Sequence, residues 1–205
     1  VYNHYISLRK YDYDLYRGYS EVPRRNKRGR VMHDKKDRVI YDQVPVTPNP
    51  AFDKELAWFP VDEKKGRRVW HPKKVSKACT NFFRSTVDEN GECFLYKADS
   101  MALRYAYANC FDAYKNFFRR LKKGSGNPGY PRYKSRSDKT QSYATGSGTQ
   151  FKIDWEKKRI VLPKLGFVKF DAHVRCEGHI NRATIIMNSD GTYGLVLSCR
   201  DVPYE

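Results

Sequence analysis

The clearest periodicity in the chain falls between residues 99 and 124. Leu103, Tyr107, Cys110, Tyr114, Phe117 and Leu121 recur at alternating steps of four and three. Side chains so spaced form one stripe along an α-helix. Asp99 or Ser100 is the expected N-cap, Lys122 and Lys123 complement the dipole in the last turn, and Gly124 is placed to end the helix. Two further helices are expected. One covers residues 2–17, with Tyr2, Tyr5, Ile6, Leu8, Tyr13 and Tyr16 at mixed spacings and Gly18 as punctuation. The other begins at His71-Pro72, has Pro at its first position, and carries Val75, Cys79, Phe82 and Phe83 on its apolar face. "FDKELAWFP" is a short apolar segment stopped by Pro60, and "DENG" at residues 88–91 is a turn.

After Phe151 the period changes to two. "FKIDWEKKRIVLP", "FVKFDAH", "RATIIMN" and "TYGLVLSC" read as strands, the last two joined by a hairpin turn at Asn188–Gly191. Ala183, Ile185 and Met187 alternate with Thr184 and Ile186. Tyr193, Leu195, Leu197 and Cys199 alternate with Gly194, Val196 and Ser198. A helical half followed by an antiparallel β half defines an α+β chain. Two stretches lack either period. Residues 18–50 are cationic and broken by prolines; "RVMHDKKDRVIYD" within them reads equally as a hairpin turning at residues 34–37 or as a flexible basic insertion. Residues 125–147 are linker-like.

Charge narrows the partner. The 205 residues hold 40 Lys and Arg against 23 Asp and Glu, a net charge of +17. Such an excess opposes compaction unless an anion is near. No long apolar run, signal-peptide core or amphipathic cationic helix suggests a membrane, so nucleic acid is the expected partner. The aromatic content of 15%, with 16 Tyr, suits stacking on bases. Five cysteines without a CxxC argue against a disulfide framework or a zinc ribbon and for small buried apolar residues, hence a reducing, cytoplasmic compartment. The chain opens without Met and ends just after a strand-like run. It reads as an internal piece of a longer protein, or as its ordered part.

Catalytic chemistry finds little purchase. His4, His33, His71, His173 and His179 are scattered, with no HExxH and no phosphate-binding Gly loop. Asp53 with Glu55, and Asp62 with Glu63, are close pairs without a third carboxylate on a neighbouring strand, so no two-metal site is expected. The basic stretch is more informative. From Lys115 to Lys139 nine cations face one acid, Asp138, and Tyr130, Tyr133 and Tyr143 punctuate the segment. It is either the solvated end of a helix with a plain linker or a polyanion-binding surface. Phe117, Phe118 and Tyr114 are expected in the core, with Lys115, Arg119 and Lys122 on the opposite face.

"LRYAYANCFDAYKNFFRRLKKGSGNPGYPRYKSR", followed by "SYATG" and "RIVLPKLGFVKF", resembles the region upstream of the nuclease domain in TnpB (OrfB) proteins, transposon-encoded RNA-guided DNA nucleases related to type V CRISPR effectors. The similarity is strong over residues 101–198, weak over residues 1–17 and absent over residues 18–50. It implies a helical recognition domain over residues 1–124 with a basic insertion at about 18–50, a basic linker over 125–139, and an incomplete, barrel-like β wedge domain over 140–205. Guide RNA and a target DNA duplex are the implied partners. The divalent metal, Mg, and the catalytic carboxylates of the parent endonuclease would lie in a domain beyond Glu205, and Asp201 lacks the setting of the first of them. No catalytic or metal residue is therefore assigned to this chain.

Within that frame Lys115, Arg119, Arg120, Lys122, Lys123, Arg132, Lys134 and Arg136 are expected on backbone phosphates. Tyr130, Tyr133 and Tyr143 are expected to stack. Ser100, Met101, Arg104, Thr145 and Gly146 stand where the family reads a short motif beside the target. Family members often carry Gln where Arg104 stands and Asn where Gly146 stands. Arg104 in a major groove would favour guanine. A nuclease-dead regulator of the same ancestry and a free-standing RNA-binding module are the alternatives.

Overall fold

Helix α1 (Tyr2–Arg17) forms as its apolar spacing predicts. Gly18 closes it with φ +81° and an N–H bond of 2.8 Å to the Asp14 carbonyl, turning the chain into β1 (Tyr19–Pro23). Glycine reaches this left-handed backbone without a Cβ penalty. The computed structural model describes all residues except 71, 125, 147–151, 173–174 and 203–205, and the side chains of 72–77 are likewise outside the description. His71, the side chain of Val75, Ser125, Ser147, Phe151 and His173 therefore fall outside it.

Two compact units result: His4–His71, and Val1–Asn3 with Pro72–Glu205. The division falls at His71, inside the segment read from sequence as the helical half, and α4 (Ser100–Lys122) shares a unit with the strands that follow it.

In the first unit β1 pairs antiparallel with β2 (Tyr41–Pro45), so the cationic insertion is a hairpin. Beyond the stem, a bridge between His33 and Val39 and a turn bond from Asp37 N–H to the Asp34 carbonyl form the expected turn at residues 34–37. Helix α2 (Pro50–Leu56) is capped by Asn49, whose side chain accepts from Phe52 N–H at 3.1 Å, with Pro50 at the first position. Polar bonds tie α1 to α2: Tyr11 donates to Asp53 at 2.9 Å, and His4 Nε2 meets the buried Glu55 at 2.8 Å. Tyr5, Ile6, Leu8, Leu56 and Phe59 are buried. The strand pair β3 (Val61–Asp62) and β4 (Arg67–Arg68) delivers Arg68, which donates to the Leu56 and Phe59 carbonyls and to Asp12. Burial raises the Asp12 carboxyl above its ordinary value despite that guanidinium.

In the second unit α3 (Pro72–Ser85) starts at the expected proline and buries Cys79 and Phe83. A 3-10 turn, Phe94–Lys97, leads to α4. Leu103, Tyr107, Cys110 and Tyr114 of the expected stripe are buried, together with Phe111. Phe117 is half-buried, and the stripe ends there. Leu121 is 52% exposed and Phe118 is also exposed, against the expectation of core. The helix outruns what it packs on, so its last apolar residues meet solvent.

The strands form two antiparallel three-stranded sheets. One has the order β10 (Tyr193–Arg200), β9 (His179–Met187), β5 (Gln141–Gly146). The other runs β6 (Lys152–Asp154), β7 (Arg159–Leu162), β8 (Gly166–Lys169). Leu195 faces Ile185 and Leu197 faces Ala183 across β10–β9. These four pack with Ile160 and Leu162 of β7, and with Ile153 and Phe170, as one apolar core. Of the alternating sets read from sequence, these four face the core, while Tyr193 of the same set is exposed. A bulge at Ser198/Cys199 breaks the register before Cys199. The fold is mixed α+β, and the described strands do not close a barrel. Among the described residues, no helix is long and apolar enough to cross a membrane.

Cys79 and Cys110 are buried, as expected of small apolar residues. Cys176 and Cys199, in contrast, are joined as a disulfide, their Cα atoms 7.3 Å apart, a span wider than most. The expectation of small buried cysteines thus holds for Cys79 and Cys110 and not for this pair.

Candidate nucleic-acid interface

The end of α4 and the strap that follows are built from sequence upward. Arg119, Arg120 and Lys122 sit in the last helical turn, where cations meet the negative dipole end. Lys123 N–H closes on the carbonyls of Arg119 and Arg120, and Gly124 leaves with φ +71°. The chain from residue 126 to 140 then runs without helix or strand, yet side chains fix it at successive points. Arg120 donates to the Pro128 carbonyl at 2.6 Å and the Gly129 carbonyl at 3.2 Å. Tyr130 meets Tyr114 hydroxyl to hydroxyl at 3.2 Å and packs edge-on against Tyr114 and Phe117. Pro131 is buried. Asn3 both accepts from Lys134 N–H and donates to its carbonyl, each at 2.7 Å. Ser135 N–H bonds Asp138, and Gln141 donates to the Arg136 carbonyl.

This anchoring separates two kinds of cation. Arg120, although exposed, spends two of its guanidinium nitrogens on holding the strap. The Lys134 ammonium stands 4.9 Å from the Tyr2 ring centroid, a cation–π distance. Lys115, Arg119, Lys122, Lys123, Arg132 and Arg136 are exposed, and none forms an ion pair with a described carboxylate. Tyr130 and Tyr133 are 54% and 55% exposed along the same strap. Rings and cations alternate on a backbone that is already ordered, so little conformational entropy is left to lose on binding.

The expected motif-reading group is differently built. Asp99 caps α4 by accepting from Met101 N–H at 3.0 Å, and its other oxygen accepts from Thr145 Oγ1 at 2.6 Å. One carboxylate therefore joins the start of α4 to the end of β5. Thr145 is 0% exposed, with its hydroxyl spent on Asp99. It cannot reach a groove, and the motif-reading role expected of it is corrected to a structural one. Gly146 is buried too. A Cβ there would stand 3.0 Å from Met101 Cε and 3.1 Å from the Tyr105 hydroxyl. Glycine here leaves room for the Met101 and Tyr105 side chains of α4 against the strand. Tyr143 is half-buried, and its enclosed hydroxyl lacks a hydrogen-bond partner. Burial, and the nearby Asp99 charge, raise its pKa. Tyr143 is therefore not presented as a stacking face. Ser100 is half-buried beside the cap, while Arg104 is exposed, its guanidinium 4.0 Å from Met101 Sδ.

Arg182, missed by the sequence reading, pairs in register with Gly146 and lies 5.5 Å from the Tyr105 ring centroid. Its position in an alternating strand carried no local signal. Asn3 and Tyr2 were likewise invisible as strap anchors, because they lie over a hundred residues away in sequence.

The suspect carboxylate pairs are scattered into fold-building roles: Asp53 accepts from Tyr11, Glu55 pairs with His4, and Asp62 caps the turn before β4 through Lys64 N–H. No group of three or more His, Cys, Asp or Glu able to hold a metal occurs among the described residues. No protein-family profile matches the chain, and no curated protein matches it.

Proposed function

We propose that this chain binds nucleic acid as the recognition and wedge portion of a TnpB-like RNA-guided DNA nuclease, holding a guide-RNA scaffold and a motif-bearing DNA duplex. The observation that carries the reading is the anchored strap: exposed Arg119, Lys122, Lys123, Arg132 and Arg136, free of described ion pairs and interleaved with Tyr130 and Tyr133 on an ordered backbone. On this reading the two sheets with their shared core are part of a barrel-like wedge. On this reading Arg104 reads the motif. Base pairing with the guide supplies most sequence choice, as in the handling of targets by RNA-guided nucleases generally. No step of cutting is assigned to these residues, and the divalent metal belongs with the nuclease domain of the parent protein.

Binding of a structured RNA and of DNA duplexes randomised beside a fixed target, followed by fluorescence anisotropy across a salt series, tests this. Arg119→Gln/Lys122→Gln/Arg132→Gln/Arg136→Gln should weaken binding and flatten the slope of log K against log salt by roughly 0.7–0.9 for each phosphate no longer neutralised. Arg104→Ala should relax preference at one base pair. Unchanged affinity in the first variant and unchanged preference in the second would reject the two assignments respectively.

A further inference from the structure

The insertion at residues 24–40 is not an irregular basic loop. It consists of two copies of one eight-residue unit, "RRNKRGRV" at 24–31 and "MHDKKDRV" at 32–39. Each unit folds into the same finger. In the first, Asn26 N–H bonds the Arg30 carbonyl, Gly29 N–H bonds the Asn26 carbonyl, and Asn26 Oδ1 accepts from Arg28 and Arg30 N–H. In the second, Asp34 N–H bonds the Arg38 carbonyl, Asp37 N–H bonds the Asp34 carbonyl, and Asp34 Oδ1 accepts from Lys36 and Arg38 N–H. Gly29 and Asp37 take the matching left-handed position, at φ +75° and +58°. This is a type I turn closed by a bulge residue, reinforced by an Asx side chain.

The fingers meet the β1–β2 stem at a cyclic junction: Arg24 N–H bonds the Ile40 carbonyl, Met32 N–H the Arg24 carbonyl, and Ile40 N–H the Met32 carbonyl. Three residues spaced eight apart thus bond in a ring. The result is a stiff cloverleaf, with Lys27 and Arg28 at the tip of one finger and Lys35 and Lys36 at the tip of the other, all exposed. Of the carboxylates nearby, Asp34 holds its own turn and Arg38, and Asp42 holds Arg24, while Asp37, next to Lys36, is exposed and leaves the second tip with one acid against its two lysines. The four tip cations form no described ion pair. Two like-charged pairs held on rigid turns repel each other unless a polyanion lies against them.

We propose that these twin fingertips are a second nucleic-acid contact, gripping the phosphate backbone of a double helix without reading its sequence. The proposal builds on the nucleic-acid reading of the strap but concerns the other structural unit. A double helix is favoured over a single strand by chemistry. Single-strand grooves interleave cations with stacking rings, as the strap does, whereas residues 24–40 contain no Phe, Tyr or Trp. Paired cations on fixed turns suit phosphates, which position a protein without conveying sequence.

The test uses the full chain with three probes: a B-DNA duplex of arbitrary sequence, an RNA duplex of the same sequence, and single-stranded oligo(dT). Lys27→Gln/Arg28→Gln/Lys35→Gln/Lys36→Gln should weaken duplex binding about tenfold or more at low salt and flatten the B-DNA slope by roughly 0.9 per phosphate no longer neutralised, leaving oligo(dT) binding within about twofold. Whether the loss falls on DNA, RNA or both identifies the duplex that is gripped. A second variant replaces residues 24–40 by Asn-Gly, joining Pro23 and Tyr41, which pair across the stem. It should show the same selective loss and keeps the test decisive if the first variant misfolds. Wild-type duplex affinity retained in a folded variant, or a loss confined to oligo(dT), overturns the proposal. Wild-type protein that binds none of the probes overturns both this proposal and the strap reading. Weaker binding in the finger variants with no change in the strap variant overturns the strap reading alone.

Discussion

Asp99 joins two elements that sequence distance separates. Its carboxylate caps α4 through Met101 N–H and receives the hydroxyl of the fully buried Thr145. Removing the carboxylate orphans a helix end and a buried hydroxyl together, while removing the hydroxyl leaves the cap intact. Asp99→Ala should therefore cost about 2 kcal/mol and Thr145→Val about 1 kcal/mol in urea unfolding, and the two should be non-additive in a double-mutant cycle. Folded Thr145→Val should keep any motif preference of the wild type. A shifted preference would return Thr145 to the reading surface. From sequence Asp99 was visible as a cap, since an acid before an apolar-periodic run is a local signal. Its second bond was not, because Thr145 lies 46 positions on.

The helix α4 shows where a periodic pattern stops carrying information. Its stripe continues to Leu121, but burial fades after Tyr114. Phe117→Ala should destabilise by about 1–2 kcal/mol, less than the roughly 3–5 kcal/mol of a fully buried ring, because this ring is half-buried against Tyr130. Leu121→Ala should stay within about 0.5 kcal/mol. Thermal or urea melts of the two variants decide this, and a large cost at Leu121 would mean the last turn is covered. The cloverleaf gives a second test. Backbone N–H and guanidinium of Arg38 hold the Asp34 carboxyl below its ordinary value, and Arg24 does the same for Asp42. For carboxyls lowered in the folded state, the stabilisation is fully present above the unfolded value of about 4 and is lost as pH falls through the folded values. Amide resonances of residues 24–40 should therefore shift together only as pH falls below about 4, through the lowered folded values. Simultaneous shifts throughout the chain would contradict a local origin.

The charge of +17 is distributed between two anchored cationic surfaces, the strap in one unit and the fingers in the other. Charges of one sign destabilise a compact chain by self-repulsion, and screening relieves them. Added salt should raise the Tm of the free chain while weakening its hold on nucleic acid. A Tm that falls with sodium chloride would show that ion pairs, such as Arg68 with Asp12, outweigh the repulsion.

Local rules reached far into this protein because they act over a few neighbouring residues. Spacing of apolar positions placed α1, α3 and α4 but not the short α2, alternation grouped Ala183 with Ile185 and Leu195 with Leu197, which share the core, and Gly18 marked the end of α1. Residue type grouped Arg120 with Arg132, and Tyr143 with Tyr133, while the family resemblance added Thr145 and Gly146 to the candidate set. Tertiary contacts divided that set. Arg120 turned to the strap carbonyls, Thr145 to Asp99, and Gly146 to the flank of α4, while Arg132, Arg136 and Tyr133 stayed at the surface. Whether a cation or a ring faces solvent depends on what folds back against it from distant sequence, so composition raised the expectation of a partner class while only the fold decided which side chains stay exposed.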